Sequence, residues 1–303
     1  MLNTWRLQLL VQFETLGTMH RVSEVMYIST ATVSQQLSLL EKETNTILFE
    51  KVGRRVQLTH AGHALAKQVR PVLNELELIE NSLSDTSEVI QGTVRITSFS
   101  SALHAIVIPA VSKLSKIFPQ LQIRLAEMEP DVSLPALDSH QFDLAVVAYF
   151  EKPNSLKQND RSLFELGTDR LMVLVGYDNP LIEHPHVSIA ELMEENWVIE
   201  PDGTYLSEYT KNLCRNAGFQ PNVMAVFQSY SAIQSVVAKN LAIGILPKLA
   251  VTEQVEGVHL LDLQPESTRH IYLVARRSQA TLRSIQIATE AIKEQSRRVF
   301  TDR

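Results

Sequence analysis

Cysteine is nearly absent: Cys214 is the only one in 303 residues. That excludes an internal disulfide and any multi-cysteine metal site. Glycine is scarce as well. The ten glycines stand at 17, 53, 62, 92, 167, 176, 203, 218, 244 and 257, and no two are closer than nine residues. The spacings G-x-x-x-x-G-K-[ST], G-x-G-x-x-G and G-x-S-x-G therefore cannot occur, which removes phosphate loops, dinucleotide fingerprints and nucleophile elbows. The nine histidines never form H-E-x-x-H. No apolar run approaches the roughly 20 residues of a membrane span. Polar residues interrupt the first dozen positions, so no signal peptide is read there. The expectation is a cytoplasmic protein without membrane contact, metal or cofactor, and not an enzyme.

What is present is ordinary globular composition, 45% hydrophobic and 20% charged, in a chain long enough for more than one domain. The net charge of -6 is unevenly spread. Residues 1–70 carry eight Lys/Arg against five Asp/Glu, whereas residues 71–91 carry five acids and no base. A mildly basic head on an acidic body hints at a nucleic-acid module fused to something else.

The first ninety residues read as helical. Trp5, Leu9, Leu10, Phe13 and Leu16 recur at helical spacing, and Gly17-Thr18 breaks that helix. Val22, Val25 and Met26 mark a short second helix. Residues 28–32 form a turn with an available N-cap, and Val33, Leu37 and Leu40 give one face of a third helix. Phe49, Val56 and Leu58 flank a glycine turn bearing Lys51, Arg54 and Arg55, which reads as a small β-wing. Thr59 N-caps a long helix in which Leu65, Val69, Val72, Leu76, Ile79 and Leu83 are spaced 4, 3, 4, 3, 4. This a/d seam predicts dimerisation through paired helices. Six such side chains contribute on the order of 10 kcal/mol gross when buried. Pro71 predicts a bend, and Gly92 a C-terminal cap.

Beyond residue 92, short apolar strands are expected at 94–97, 121–128, 144–148, 171–175, 197–199, 223–227, 243–246 and 271–275. Helical stretches lie between most of them. Such alternation predicts a largely parallel sheet covered on both faces, in a body whose length suits two lobes.

The head resembles that of the LysR-type transcriptional regulators. The resemblance is carried by Gly17-Thr18, Ser29 through Ser34, Gln36, Leu39-Leu40-Glu41, Leu48-Phe49, Arg54 and Leu58-Thr59-His60-Ala61-Gly62. Family members read L-F-x-R-x-x-R-x-x-x-L-T-x-A-G across the wing; here Lys51 replaces one arginine. The family's S-Q-P-A-V-S turn reads Ser29-Thr30-Ala31-Thr32-Val33-Ser34, and Val22-Ser23 stands for its small pair. These departures imply an altered base preference with the DNA-binding role kept.

The resemblance spans essentially the whole chain and implies its organisation. An all-α winged helix-turn-helix domain (1–58) and a linker helix (59–91) precede a two-lobed, periplasmic-binding-protein-like α/β body. Lobe I is 92–165 plus 266–303, and lobe II is 166–265. It implies promoter DNA and a small-molecule effector as partners, a dimer or tetramer, and DNA bending that changes with effector. Thr30, Thr32, Ser34 and Gln35 would meet base edges from the recognition helix, with Gln35 able to pair bidentately with adenine. Lys51, Arg54 and Arg55 would neutralise phosphates. The effector would touch Ser98, Ser100, Ser101, Thr204, Ser229 and Tyr230, with Tyr149 and Phe150 near the lobe crossing. Backbone amides at the serine loop favour an anion such as a carboxylate. For each of these hydroxyl residues, simple helix capping competes.

Other features carry less. His184-Pro185-His186 sits in a proline loop without matching metal-ligating carboxylates or cysteines nearby, and Cys214 on an expected helix reads as packed. A pure solute-binding receptor and an enzyme are the rival classes. The winged head argues against the first and the glycine spacing against the second.

Overall fold

The structure, a computed structural model, describes residues 2–26, 28–53, 55–84, 90–151, 161–184, 186–251 and 256–301. The head opens with helix α1 (Thr4–Leu16). Asn3 caps it by accepting from the Arg6 amide, and Gly17, at φ 74, ends it. Helix α2 (Met19–Met26) and helix α3 (Thr30–Thr44) complete the helix-turn-helix. Leu9, Leu10, Phe13, Val22, Val33, Leu37 and Leu40 form its buried core. Strands β1 (Phe49–Val52) and β2 (Arg55–Leu58) pair antiparallel as the wing. The wing is held from below. Both the Leu48 and Phe49 amides donate to one oxygen of Glu41, at 2.8 and 3.0 Å. Thr59 caps helix α4 (His60–Ser84) by accepting from the Gly62 amide at 3.1 Å. A Cβ on Gly62 would stand 2.4 Å from the Leu48 carbonyl oxygen, so only glycine lets helix and wing meet this closely.

Helix α4 runs on through Pro71. Its a/d stripe divides. Leu65 and Val69 pack into the head's own core, joined by Ala66 and Leu73, because the first half of α4 lies against α1. Val72, Leu76 and Ile79 are exposed, and the Leu83 side chain lies outside the described residues. The expected six-residue seam is thus corrected: its first two members stabilise the head itself. Gly92 does not cap the helix either. It opens strand β3 (Gly92–Ser98) at φ 110.

The body has three apolar cores. One gathers Val94, Ile96, Leu144, Leu166, Ile271 and Ile285. A smaller one on the other side of the same strands holds Leu137, Val147 and Val274. The third gathers Leu171, Val173, Trp197, Ile233, Val237 and Leu261. The first lobe is built on β3, β4 (Leu121–Glu127), β5 (Leu144–Tyr149) and β12 (Thr268–Arg276). Helices α5 (Ser100–Ala102), α6 (Ile108–Ile117), α7 (Pro130–Asp138) and α10 (Arg283–Thr301) accompany them, with a π-helical turn over Leu103–Val107 between α5 and α6. The second lobe holds β7 (His186–Val187), β8 (Asn196–Ile199), β9 (Asn222–Val226), β10 (Gly244–Pro247) and β11 (Val258–Leu263). Its helices include α8 (Tyr205–Asn216) and α9 (Tyr230–Ala238).

Strand β6 (Arg161–Gly176) joins the lobes. Its first half pairs with β12 and its last residues with β10 and β11. The expectation of a largely parallel sheet is therefore corrected. Parallel pairs (β3 with β4 and β5, β8 with β9, β7 with β11) are matched by antiparallel ones made by β6 and β12. A chain that leaves one lobe, builds another and returns must send one strand out and one back, and those two run antiparallel. Among the described residues no helix is long and apolar enough to cross a membrane.

Candidate functional site

Two surfaces concentrate the chemistry. The first is the exposed face of α3. Ser29 caps it, accepting from the Thr32 amide at 3.0 Å and bonding the Thr32 hydroxyl at 2.8 Å. Thr30 bonds Ser23 of α2 at 3.1 Å, tying the two helices of the motif together. Thr32 is half-buried, whereas Ala31, Ser34, Gln35 and Ser38 are exposed at helical spacing. Gln36 is turned inward and accepts from Arg6 Nε at 2.9 Å. So Ser34 and Gln35 stand free to meet a groove, while the hydroxyls of Thr30 and Thr32 already brace the turn. On the wing, Lys51 and Arg55 are exposed. The register pairs Lys51 with Val56 and Val52 with Arg55, which sets the two cations on opposite faces of the ribbon. Arg54 lies outside the described residues.

The second surface lies between the lobes. Its centre is Arg269 on β12, directly opposite Asp169 on β6 at the crossing. The Asp169 carboxylate accepts from Arg269 Nε at 3.1 Å and Nη2 at 2.8 Å, and from the Leu249 amide at 2.9 Å. Arg269 Nη2 also donates to Ser101 Oγ at 2.6 Å, and the guanidinium lies 4.8 Å over the Phe99 ring. One buried ion pair therefore binds the crossing strands to an element of each lobe.

An inner cavity of about 10 Å³ sits beside it. Lobe I contributes Phe99, Glu129 and Phe150; lobe II contributes Glu200, Tyr205, Leu206 and Tyr230. That volume holds about one water, so the lobes are closed on each other. Phe150 bridges the two lobes. Its ring stacks on Tyr205 at 5.3 Å and on Tyr209 at 3.5 Å, and its amide donates to the Tyr205 hydroxyl oxygen at 3.1 Å. Burial, then the neighbouring Glu129, pushes the Glu200 carboxyl up to about 7, against lowering by a Thr204 hydrogen bond, Arg269 and a Tyr230 hydrogen bond. Burial also raises Glu129, opposed by Arg269 and reinforced by Asp131 and Glu127. Outside lies a wider mouth of about 790 Å³, lined among others by Ser100, Ser101, His104, Glu127, Ser229, Tyr230 and Gln234.

The expected effector residues separate against this geometry. Ser100, Ser101, Ser229 and Tyr230 line the cleft. Ser98 does not: it is fully buried and its hydroxyl donates to the Phe99 carbonyl at 3.1 Å. Thr204 caps α8 by accepting from the Ser207 amide, and so reaches the cavity only through its bond to Glu200. Tyr149 packs edge-on against Tyr205 at 5.9 Å, behind the lining; burial pushes its hydroxyl up to about 12. The charged members, Glu129, Asp169, Glu200 and Arg269, went unread in the sequence. Only Glu200 left a local signal there, a carboxyl placed immediately after an apolar strand and before Pro201-Asp202-Gly203. Elsewhere, His184 lies 3.6 Å from Glu191, and no group of three metal-ligating side chains occurs among the described residues.

A winged helix-turn-helix joined by a long helix to two lobes closing on a pocket defines a ligand-responsive DNA-binding regulator. Comparison with known proteins agrees. The family model for the bacterial regulatory helix-turn-helix protein, lysR family, matches residues 5–63, and that for the LysR substrate binding domain matches residues 87–297. The chain belongs to the LysR family: it is a DNA-binding transcription regulator with an effector-binding domain. It is 27% identical over 259 residues to the hydrogen peroxide-inducible genes activator of Dickeya chrysanthemi, covering 84% of this chain and 83% of that one. It superposes on a full-length OxyR variant from Pseudomonas aeruginosa with a TM-score of 0.67 at 18% identity, covering 98% of this chain and 95% of that one. Full-length CbnR, solved in complex with its target DNA, gives 0.55 at 15% identity, covering 97% and 99%.

Proposed function

We propose that this chain is a cytoplasmic, non-enzymatic switch on promoter DNA. An effector held between its lobes changes how copies of the chain pack, and with that the spacing of the heads and the bend of the DNA. The observation that carries the reading is the inter-lobe pocket, whose walls come from both lobes and whose latch, Phe150 against Tyr205 and Tyr209, must part to admit a ligand. A ligand that favours one degree of closure is thereby coupled to the shape of the whole body.

On the DNA side, Ser34 and Gln35 read bases, Thr30 and Thr32 hold the turn that aims them, and Lys51, Arg54 and Arg55 contact phosphates. Self-association begins at Val72, Leu76 and Ile79 of α4, whose exposure in one protomer supports a paired linker helix. A second contact, making a tetramer, is supported by two edges: Ile108, Ile117 and Leu125 beside the end strand β4, and Val223, Met224 and Val226 on β9. The working units are the head (1–58), the linker (59–91), lobe I (92–165 with 266–303) and lobe II (166–265). The outward crossing is supported by core membership, Leu166 belonging to the first lobe's core and Leu171 to the second's.

Peroxide sensing through a thiol, suggested by the names of several relatives, is not part of this reading. Cys214 is fully buried, and burial pushes its thiol up to about 11, far from a reactive thiolate. Selection of genomic fragments by the purified protein, followed by footprinting, tests the proposal. It expects a long footprint over an interrupted dyad. Failure to enrich any fragment at low salt overturns it.

A further inference from the structure

The effector reading places the ligand in the inter-lobe cleft, and what the cleft already holds fixes the charge of that ligand. Glu129 from lobe I and Glu200 from lobe II line one cavity, with Glu127 at its mouth. Arg269 is the one cation lining the inner cavity among the described residues. Its charge is matched by Asp169, and its Nη2 is shared between Asp169 and Ser101. A carboxylate entering here would meet two carboxyl groups and a cation already neutralised.

A second observation points the same way. Gln234, 5% exposed, lines the mouth, and its Oε1 has no hydrogen-bond donor. A buried acceptor left without a donor calls for an N–H or O–H from outside. The Phe150, Tyr205 and Tyr230 rings supply the remaining walls. Carboxylates, an orphan acceptor and aromatic faces together are complementary to an ammonium group on a short carbon chain.

We propose that the effector is a small aliphatic amine, its ammonium group between Glu129 and Glu200 and its chain directed past Tyr230 toward Gln234. The proposal rests on the cleft being the effector site. It also explains a cost in the unliganded protein. Two buried carboxyl groups repel each other, and an arriving cation lets both ionise. Amine binding therefore expels protons and strengthens as the pH rises from about 6 to about 8.

Titration calorimetry on the full-length protein, with butylamine and 1,4-diaminobutane against butyrate and succinate, tests this. The expected result is binding of the amines alone, weakened roughly 10–100-fold in both Glu200→Gln and Glu129→Gln. Butyrate or succinate binding that is lost in Tyr230→Ala overturns the amine and keeps the cleft. Amine binding unchanged in both glutamine variants places the ligand elsewhere and overturns both. Absence of any amine binding up to about 10 mM overturns the amine.

Discussion

Replacing Glu200 with glutamine should stabilise the second lobe by an amount that grows from about pH 4.5 to about pH 7 and levels off above. In the folded chain this carboxyl is 8% exposed and pushed up from 4.5 to about 7. The groups facing it are Glu129, which raises it, and Thr204, Arg269 and Tyr230, which lower it; burial outweighs them. A carboxyl raised on folding holds its proton in the folded state while the unfolded chain has lost it. Its contribution is therefore intact below about pH 4.5 and disappears as the pH rises through about 7. At about 1.4 kcal/mol per pH unit, wild type above pH 8 carries a burden of up to about 3 kcal/mol that glutamine does not.

The assay is urea unfolding followed by Trp197, which is fully buried in the second core, in a Trp5→Phe background so that the head is silent. The stability difference between Glu200→Gln and wild type should grow in favour of the variant from about pH 5 to about pH 8. A difference that stays constant across that range, or one that grows in favour of wild type, refutes the argument that burial governs this group.

Four other outcomes follow from the geometry. Leu76→Glu on α4 should dissociate the oligomer. Two symmetry-related side chains at roughly 1.5–3 kcal/mol each imply a roughly hundred- to ten-thousand-fold weaker dimer, readable by sedimentation; an unchanged mass would move the interface off this helix. Arg55→Ala should weaken binding to every DNA sequence and lower the salt slope by about one. Gln35→Ala should instead relax preference at one base position, at roughly 1–3 kcal/mol, so a uniform loss across sequences would show Gln35 misassigned. Cys214→Ser should leave the effector-dependent footprint unchanged with and without peroxide, whereas loss of a peroxide-induced change would restore a thiol switch.

How legible each part was depended on how local its signal is. The head was readable because its determinants are neighbours in sequence: Ser29 caps three residues on, Gly17 breaks α1 where it stands, and Val33, Leu37 and Leu40 mark one face. The a/d stripe of α4 was legible as a stripe but not in its use. Spacing cannot say that α1 would cover Leu65 and Val69 and leave Val72 and Leu76 exposed. Eight expected strands correspond to observed ones. The first half of β6 and the whole of β7 and β11 were missed: β7 is only two residues, and Arg161–Arg170 and Val258–Leu263 mix charges and Gly167 into their apolar alternation. In the cleft, the hydroxyl residues were found because they follow strands and open helices; Thr204 and Ser229 do cap, whereas Ser100 and Ser101 do not. Arg269 and Asp169 are 100 positions apart, and Glu129 and Glu200 sit in different lobes. No local spacing announces such pairs.

That distribution bears on how the switch works. Phe150 stacked between two tyrosines holds the lobes closed, and aromatic pairs of this kind contribute roughly 0.5–1.5 kcal/mol each beyond their buried area. Against this stands the Glu200 carboxyl, whose burial opposes the closed arrangement more as the pH rises toward about 7. The two terms have opposite sign, so closure is disfavoured by ionisation of this group. Allosteric couplings are typically 1–3 kcal/mol, and a ligand that relieves the carboxylate burden biases closure with no new hydrophobic contact. A cleft built only of apolar closure contacts would stay shut whatever the effector. The buried carboxyls make closure conditional, and what satisfies the condition is a proton or a positively charged ligand.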